Sequence, residues 1–397
     1  MAMREPADVP VDSITALLAD LVRIPSRGGV DAHEPVADHM ARWLTAAGLP
    51  HRVLRDGTGR PMALYAEIGP ADARPWWVLD ATLDTAGFGD ADAWTDAPTS
   101  GLVRNGWLYG RGASDSKAAA ALFAHLLAAL APQAAGWRGR LGLLLDLDEH
   151  SGGFGGARAF FDGAQGARPD GVMIGYPGMD SVVLGGRGFL RARIALDGRA
   201  AHSGGVGERG INAAQRAAAL AGQLAAAALP VDAARQQDFP HPPQLTVTAL
   251  QAGASGQFSV VPDAARLELD IRLTPGFDAA DARAWLAVLL AAHDAAWPQA
   301  APACCVWIDG WPAYRVPAAH PMVQALQQAA SAEGLALPTE VAGPSNIGNY
   351  LAGLGIPALC GFGVRYRGLH ATDECIELAS IAPVYRVWWR AVQRLVA

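Results

Sequence analysis

The stretch YGRGASDSKAAAALFAHLLAAL, Tyr109–Leu130, joins a glycine-bearing turn to an Ala/Leu-rich helix and sets an acid, Asp115, at the helix entrance. Gly110 and Gly112 free the backbone of that turn. Short apolar runs flank it at Ala63–Ile68 and Trp76–Leu79 on one side and at Leu141–Leu145 and Gly171–Ile174 on the other. Two segments before these, Ser13–Arg23 and His33–Ala47, repeat apolar residues at helical spacing. Strands alternating with helices predict an α/β unit, a mixed sheet covered by helices on both faces.

After Gly188 the texture changes. Phe189–Leu196 alternates as a strand, Ile211–Ala228 reads as a helix, Gln244–Leu250 and Ala265–Leu273 as strands, and Ala279–His293 as a helix. This β-α-β-β-α order predicts a self-contained α+β domain inserted into the larger one. Pro298–Pro302 reads as the return linker, and strand and helix patterns resume from Cys305. The expected division is 1–187 and 298–397 for the two parts of a catalytic domain, with 188–297 between them; the alternative is a single large domain.

Across 397 residues, 51% are hydrophobic and 17% charged, a composition that supports a large packed core and argues against disorder. A formal charge of −7 and no Lys/Arg cluster leave no track for nucleic acid. The opening MAMREPADVPVDS lacks the apolar stretch of a signal peptide, and His125 and Gln223 interrupt the longest Ala/Leu runs, so neither export nor a membrane span is expected. Cys304, Cys305, Cys360 and Cys375 form neither a C-x-x-C motif nor a disulfide ladder, which points to buried thiols in a reducing cytoplasm.

Four places combine ionisable groups with strand ends or glycine turns, where open α/β sheets build their sites. They are Leu79–Thr85, which carries Asp80 and Asp84; Tyr109–Lys117, which carries Asp115; Asp146–Gly153, with Glu149 and His150; and Gly368–Glu374, with His370. Singly each has an ordinary explanation, since an Asp before a helix is most often a cap.

Their order and company resemble the zinc metallopeptidase and aminoacylase family that includes acetylornithine deacetylase, succinyl-diaminopimelate desuccinylase and carboxypeptidase G. The resemblance spans nearly the whole chain. Asp92–Ala120 is its strongest segment, followed in order by GRAAHSG at Gly198–Gly204, VVPDAARLELDIRLTPG at Val260–Gly276 and GPSNIGNYLAGLGIPALCGFG at Gly343–Gly363. It implies a zinc-exopeptidase-like fold whose insert is a lid and dimerisation domain, and hydrolysis of an amide in a small molecule that carries a carboxylate.

The family holds two zinc ions, and here the correspondence is uneven. Asp115 matches the bridging ligand, Glu149 the general base and His370 the last ligand, and Asp84 is retained as a catalytic residue. Thr82 stands where the family has a His, Tyr176 where it has a Glu, and His150 where it has another Glu. The first metal position is therefore expected to be lost. Asp115, His150 and His370 would still make a carboxylate and two imidazoles, a set that zinc accepts; the alternative for His150 is a histidine hydrogen-bonded behind the ligands.

By the same resemblance, His202 reaches into a partner subunit's site to hold the oxyanion, which implies a homodimer through the insert. Arg272 clamps the substrate carboxylate, although Ser259 replaces the family's Asn nearby. Tyr176, Ser345 and Asn346 are further candidate substrate contacts, the last two also readable as turn residues. Three readings remain: a hydrolase using one zinc or other divalent ion, a metal-free enzyme that forms or rearranges an amide, and a non-catalytic binder. A mere binder has no use for Glu149, His202 and Arg272 together.

Overall fold

The computed structural model describes residue 6 and residues 8–163, 166–207 and 209–397. Met1–Glu5 and Ala7, part of the opening stretch inspected for a leader, lie outside these. The chain divides into two compact units, one of residues up to Gly185 with Val316–Glu340 and Asn346–Ala397, the other of Gly186–Arg315 with Val341–Ser345.

The first unit is built on a six-stranded sheet in the order His51–Arg55, Pro61–Ile68, Arg140–Asp146, Trp76–Thr82, Gly171–Ile174, Ala358–Cys360. Pro61–Ile68 runs antiparallel to both its neighbours, and the remaining pairs are parallel. Parallel pairing suits strands buried on both faces, and Trp76–Thr82 is buried at all 7 positions. Its residues Trp77, Leu79 and Ala81 share one core with Leu141, Leu143 and Leu145 and with the helices Val11–Arg23, Ala118–Leu130 and Ile381–Val396.

The segment Ala113–Gly136, at mean hydropathy 1.5, is by length and composition apolar enough to cross a membrane, contrary to the reading that His125 interrupts it. Its most apolar window is 61% buried within the protein, against the helices on either side. His125 is accommodated there by Ser13 Oγ at 2.8 Å from Nε2 and by the Ala121 carbonyl at 2.8 Å from Nδ1.

A second, smaller sheet of the same unit orders Tyr366–Arg367, Cys375–Glu377, Trp107–Tyr109 and Leu102–Arg104. Cys375 lies opposite Tyr109, which brings the His370 loop beside the turn that carries Asp115.

The second unit is a four-stranded antiparallel sheet in the order Gln244–Ala252, Ala264–Leu273, Gly188–Asp197, Cys304–Trp311. Ile194, Leu196, Leu267 and Leu269 pack against Ala217, Leu220 and Leu224 of one helix and Leu286 and Leu290 of another. Those helices, Ala213–Ala226 and Ala279–Ala295, are capped by Asn212 and by a reciprocal Asp278–Asp281 capping box. The sequence reading closed this domain at residue 297, but Cys304–Trp311 pairs with Gly188–Asp197 and belongs to its sheet. Alternation marks Cys304–Trp311 as a strand with one apolar face, yet does not say which sheet receives it. Cys360 and Cys375 are buried, whereas Cys304 is exposed on that edge strand.

Candidate functional site

Parallel register between Trp76–Thr82 and Arg140–Asp146 sets Thr82 opposite Asp146, so the residues that follow both strands emerge together. Asp84, fully buried, accepts from Glu149 N at 3.0 Å and Thr82 Oγ1 at 2.6 Å on one oxygen and from His150 N at 3.0 Å on the other. Burial alone would raise its pKa, but contact with His150 and these donors holds it below the usual carboxylate range. An anion engaged on both oxygens by main chain is a strut for the Glu149–His150 turn rather than a free catalytic group.

A third segment closes on this strut. Gly28 N donates to the Thr85 carbonyl at 2.9 Å, and a Cβ at Gly28 would stand 2.9 Å from Asp84 Oδ2 and 3.2 Å from His150 Cβ. Glycine is the residue that allows this approach. Nothing in its sequence neighbourhood marks the role, because the contacts come from residues far along the chain.

Asp115 is held from the other side. Glu374, buried, accepts Ser114 N at 2.8 Å, Ser114 Oγ at 2.7 Å and Asp115 N at 3.3 Å through one oxygen, and Arg111 at 2.8 Å through the other. Arg111 also reaches the His370 carbonyl at 3.3 Å, so one buried ion pair ties the Asp115 turn to the His370 loop. Lys117, at the start of the helix, is buried as well, donating to the Leu21 and Ile24 carbonyls at 2.9 and 3.0 Å, and burial lowers its pKa to about 7.

The result is a convergence. One ligand atom each from Asp115, His150 and His370 lie within 4.8 Å of one another. His370 Nε2 is 2.9 Å from Asp115 Oδ2, and His150 Nε2 is 3.5 Å from that same oxygen. His150 Nδ1 stands 3.4 Å from both Asp84 Oδ2 and Glu149 Oε2, so among the described residues neither ring nitrogen has a hydrogen-bond partner. Asp115 Oδ1 is likewise buried and unpaired.

Electrostatics favour a cation at this point. Burial opposes charge on His150, yet Asp115, Asp84 and Glu149 outweigh it and push the imidazole up to about 11. Asp115, against the same burial, is held at about 2 by His150 and His370. Glu149 is pushed up to about 7, by burial first, with His150 lowering and Asp115 raising it. A divalent ion fits the donor set of Asp115, His150 and His370: Asp115 Oδ1 and the His150 ring nitrogens are buried without a hydrogen-bond partner among the described residues, the exposed His370 ring closes on Asp115 Oδ2, and these are donor kinds that zinc takes. The first family position does not fit, because Thr82 is bonded to Asp84 and the Tyr176 hydroxyl to Glu149.

The remaining candidates each have partners of their own. Exposed His202 accepts Gly204 N on Nδ1 at 3.1 Å, which leaves Nε2 to carry the ring proton. Arg272 is paired with Asp270, Nε to Oδ1 at 2.7 Å, on a groove of about 520 Å³ that it shares with Arg187, Gln244 and Thr246. Sequence reasoning missed Arg187; burial, then Arg272, lowers its pKa. Ser345 and Asn346, offered as substrate contacts, are engaged locally. Ser345 Oγ donates to the Arg187 carbonyl at 2.7 Å, and Asn346 caps the helix Ile347–Gly353 in a capping box with Asn349.

A helix-covered mixed sheet gathers acids and imidazoles behind its strand ends, where open α/β sheets build their sites. The chain belongs to peptidase family M20/M25/M40, whose family model matches residues 78–394. It is 31% identical over 293 residues to a succinyl-diaminopimelate desuccinylase of Caulobacter sp. (strain K31), covering 72% of each chain. To the desuccinylase of Bordetella petrii it is 27% identical over 394 residues, 96% of this chain and 98% of that one. In fold it is similar to a tripeptidase of Staphylococcus aureus, at TM-score 0.77, 18% identity and coverage of 98% and 99%. A metallo-carboxypeptidase of Sulfolobus solfataricus gives TM-score 0.75 at 18% identity, with coverage of 97% and 99%. The chain is thus an enzyme of an amide- and peptide-cleaving family.

Proposed function

We propose that this protein hydrolyses the amide of an N-acyl amino acid or small peptide next to a carboxylate, using one divalent ion, zinc, held by Asp115, His150 and His370. The observation that carries the reading is the convergence of those three side chains beside Glu149. The bound ion would supply Lewis-acid polarisation and make water more acidic. Glu149, ionised, takes the proton of the attacking water and delivers it to the departing nitrogen. His202 of a second copy, with its proton on Nε2, donates to the developing oxyanion. Arg272 and Arg187 receive the substrate carboxylate, where a guanidinium fork matches two oxygens. The desuccinylase and peptidase relatives support this substrate class.

A homodimer through the insert goes with this reading, since its edge strands expose Leu250, Val306 and Ile308. A cytoplasmic site of action agrees with its free cysteines. A metal-free enzyme is the second reading. It is favoured by one observation, that Asp84, Glu149 and Asp115 each stand within 3.5 Å of a His150 ring nitrogen, an arrangement that would hold a protonated imidazole there without an ion. Zinc analysis of protein purified without chelators, with turnover assayed on N-acyl amino acids, separates the two. The one-ion enzyme holds close to one equivalent and loses activity on chelation. Less than roughly a tenth of an equivalent, with activity indifferent to added zinc, defeats it.

A further inference from the structure

Two hydroxyls occupy the neighbourhood of the retained acids in an unusual way. Thr82 Oγ1 donates to Asp84 Oδ1 at 2.6 Å, and the Tyr176 phenol donates to Glu149 Oε1. Each alcohol therefore directs its proton at a carboxylate. Asp84 is further taken up by the main-chain N–H groups of Glu149 and His150, both at 3.0 Å. A lone pair that already accepts an O–H is not free to coordinate, and neutral hydroxyls compete poorly with imidazole and carboxylate for zinc.

We infer that the hydroxyls of Thr82 and Tyr176 stand in for a first metal ion. They satisfy Asp84 and Glu149 as a cation would, and Tyr176 takes over the positioning of the general base. The inference rests on the reading that Asp115, His150 and His370 hold a single ion. With Oε1 of Glu149 held by the phenol, Oε2 is left facing the His150 ring, 3.4 Å from Nδ1, so the hydrogen bond that orients the carboxylate comes from a side chain standing at a lost ligand position. Tyr176 is then a positioning residue, acting on the reaction through Glu149.

Zinc stoichiometry tests this directly. Full-length protein equilibrated with zinc and freed of excess is expected to carry one ion, and Thr82→His combined with Tyr176→Glu is expected to carry two. A double variant that gains no ion over the wild type overturns the inference, as does a wild type that already holds two. A wild type without zinc whose double variant gains an ion would sink the one-ion reading alone and leave the hydroxyl replacement standing. Tyr176→Phe preserves shape and guards against a misfolded double variant. It should keep the wild-type zinc content while kcat on N-acyl amino acids falls by about 10–100-fold at nearly constant KM, the size of effect found when groups supporting an active residue are removed. Unchanged kcat, or a loss confined to KM, overturns the positioning role.

Discussion

Asp80 lies on the central strand with no exposed surface, and neither of its carboxyl oxygens has a hydrogen-bond partner among the described residues. Burial, then the negative charge of Glu149, pushes it from 3.8 up to about 8. The folded state therefore holds the Asp80 proton more tightly than the unfolded chain does. Stability from this group is fully present below pH 3.8 and is lost as pH rises toward about 8. At 1.36 kcal/mol per pH unit, the full span corresponds to about 6 kcal/mol, an upper bound because water and side chains relax around a buried charge. Asp80→Asn keeps the shape and cannot ionise. Its stability relative to wild type should climb by up to about 1.4 kcal/mol per pH unit between pH 5 and pH 8. Urea unfolding of both proteins at each pH, followed by tryptophan fluorescence, reads the difference. Parallel stability profiles over that range would refute the assignment of a neutral, buried Asp80.

The other predictions concern the site. Glu149→Gln removes the base at constant size, so kcat should drop by roughly 10²–10⁴-fold with zinc content unchanged; near-normal turnover would remove Glu149 from the mechanism. Because Glu149 must be ionised to act and sits at about 7, kcat/KM should fall about tenfold per pH unit below that value and level off above it. A flat profile between pH 5 and pH 7 would contradict this. Gly28→Ala should press on Asp84 and His150, lowering stability by about 1–3 kcal/mol and weakening zinc binding, as calorimetric titration would show. Tight zinc binding by an unaltered fold would mean that the close approach is dispensable.

Much of this architecture is legible in the sequence because periodicity reports local burial. The strand Trp76–Thr82, the helix Ala118–Leu130 and the insert's helices fall within a few residues of their expected places. Asp115, His150 and His370 were candidates from residue type and resemblance, and the structure brings them together. What escaped depends on long-range contact. Asp84 is a catalytic residue by resemblance, but the main chain of Glu149 and His150 engages it. Glu374 looked like one more acid in a polar loop, and only its pairing with Arg111 shows that it fastens two distant segments. Asp80 and Asp146 follow apolar runs in the sequence as solvent-facing acids would, yet both are buried and have no side-chain hydrogen-bond partner among the described residues. Arg187 gains its meaning from Arg272, a strand away in the other half of the insert.

Asp115 and His370 meet across 255 residues of chain, and the sheet beneath them is completed at its edge by Ala358–Cys360, which pairs with Gly171–Ile174. During synthesis on the ribosome, the segment bearing Asp115 and His150 appears first, and the whole insert must follow before their third companion emerges. A nascent chain released after the insert but before His370 would therefore carry the insert's strands and a crowd of acids, but not the third of the converging side chains. If those three side chains hold zinc as proposed, competence to capture it is a late event in the life of the polypeptide, conferred by the segment that carries His370.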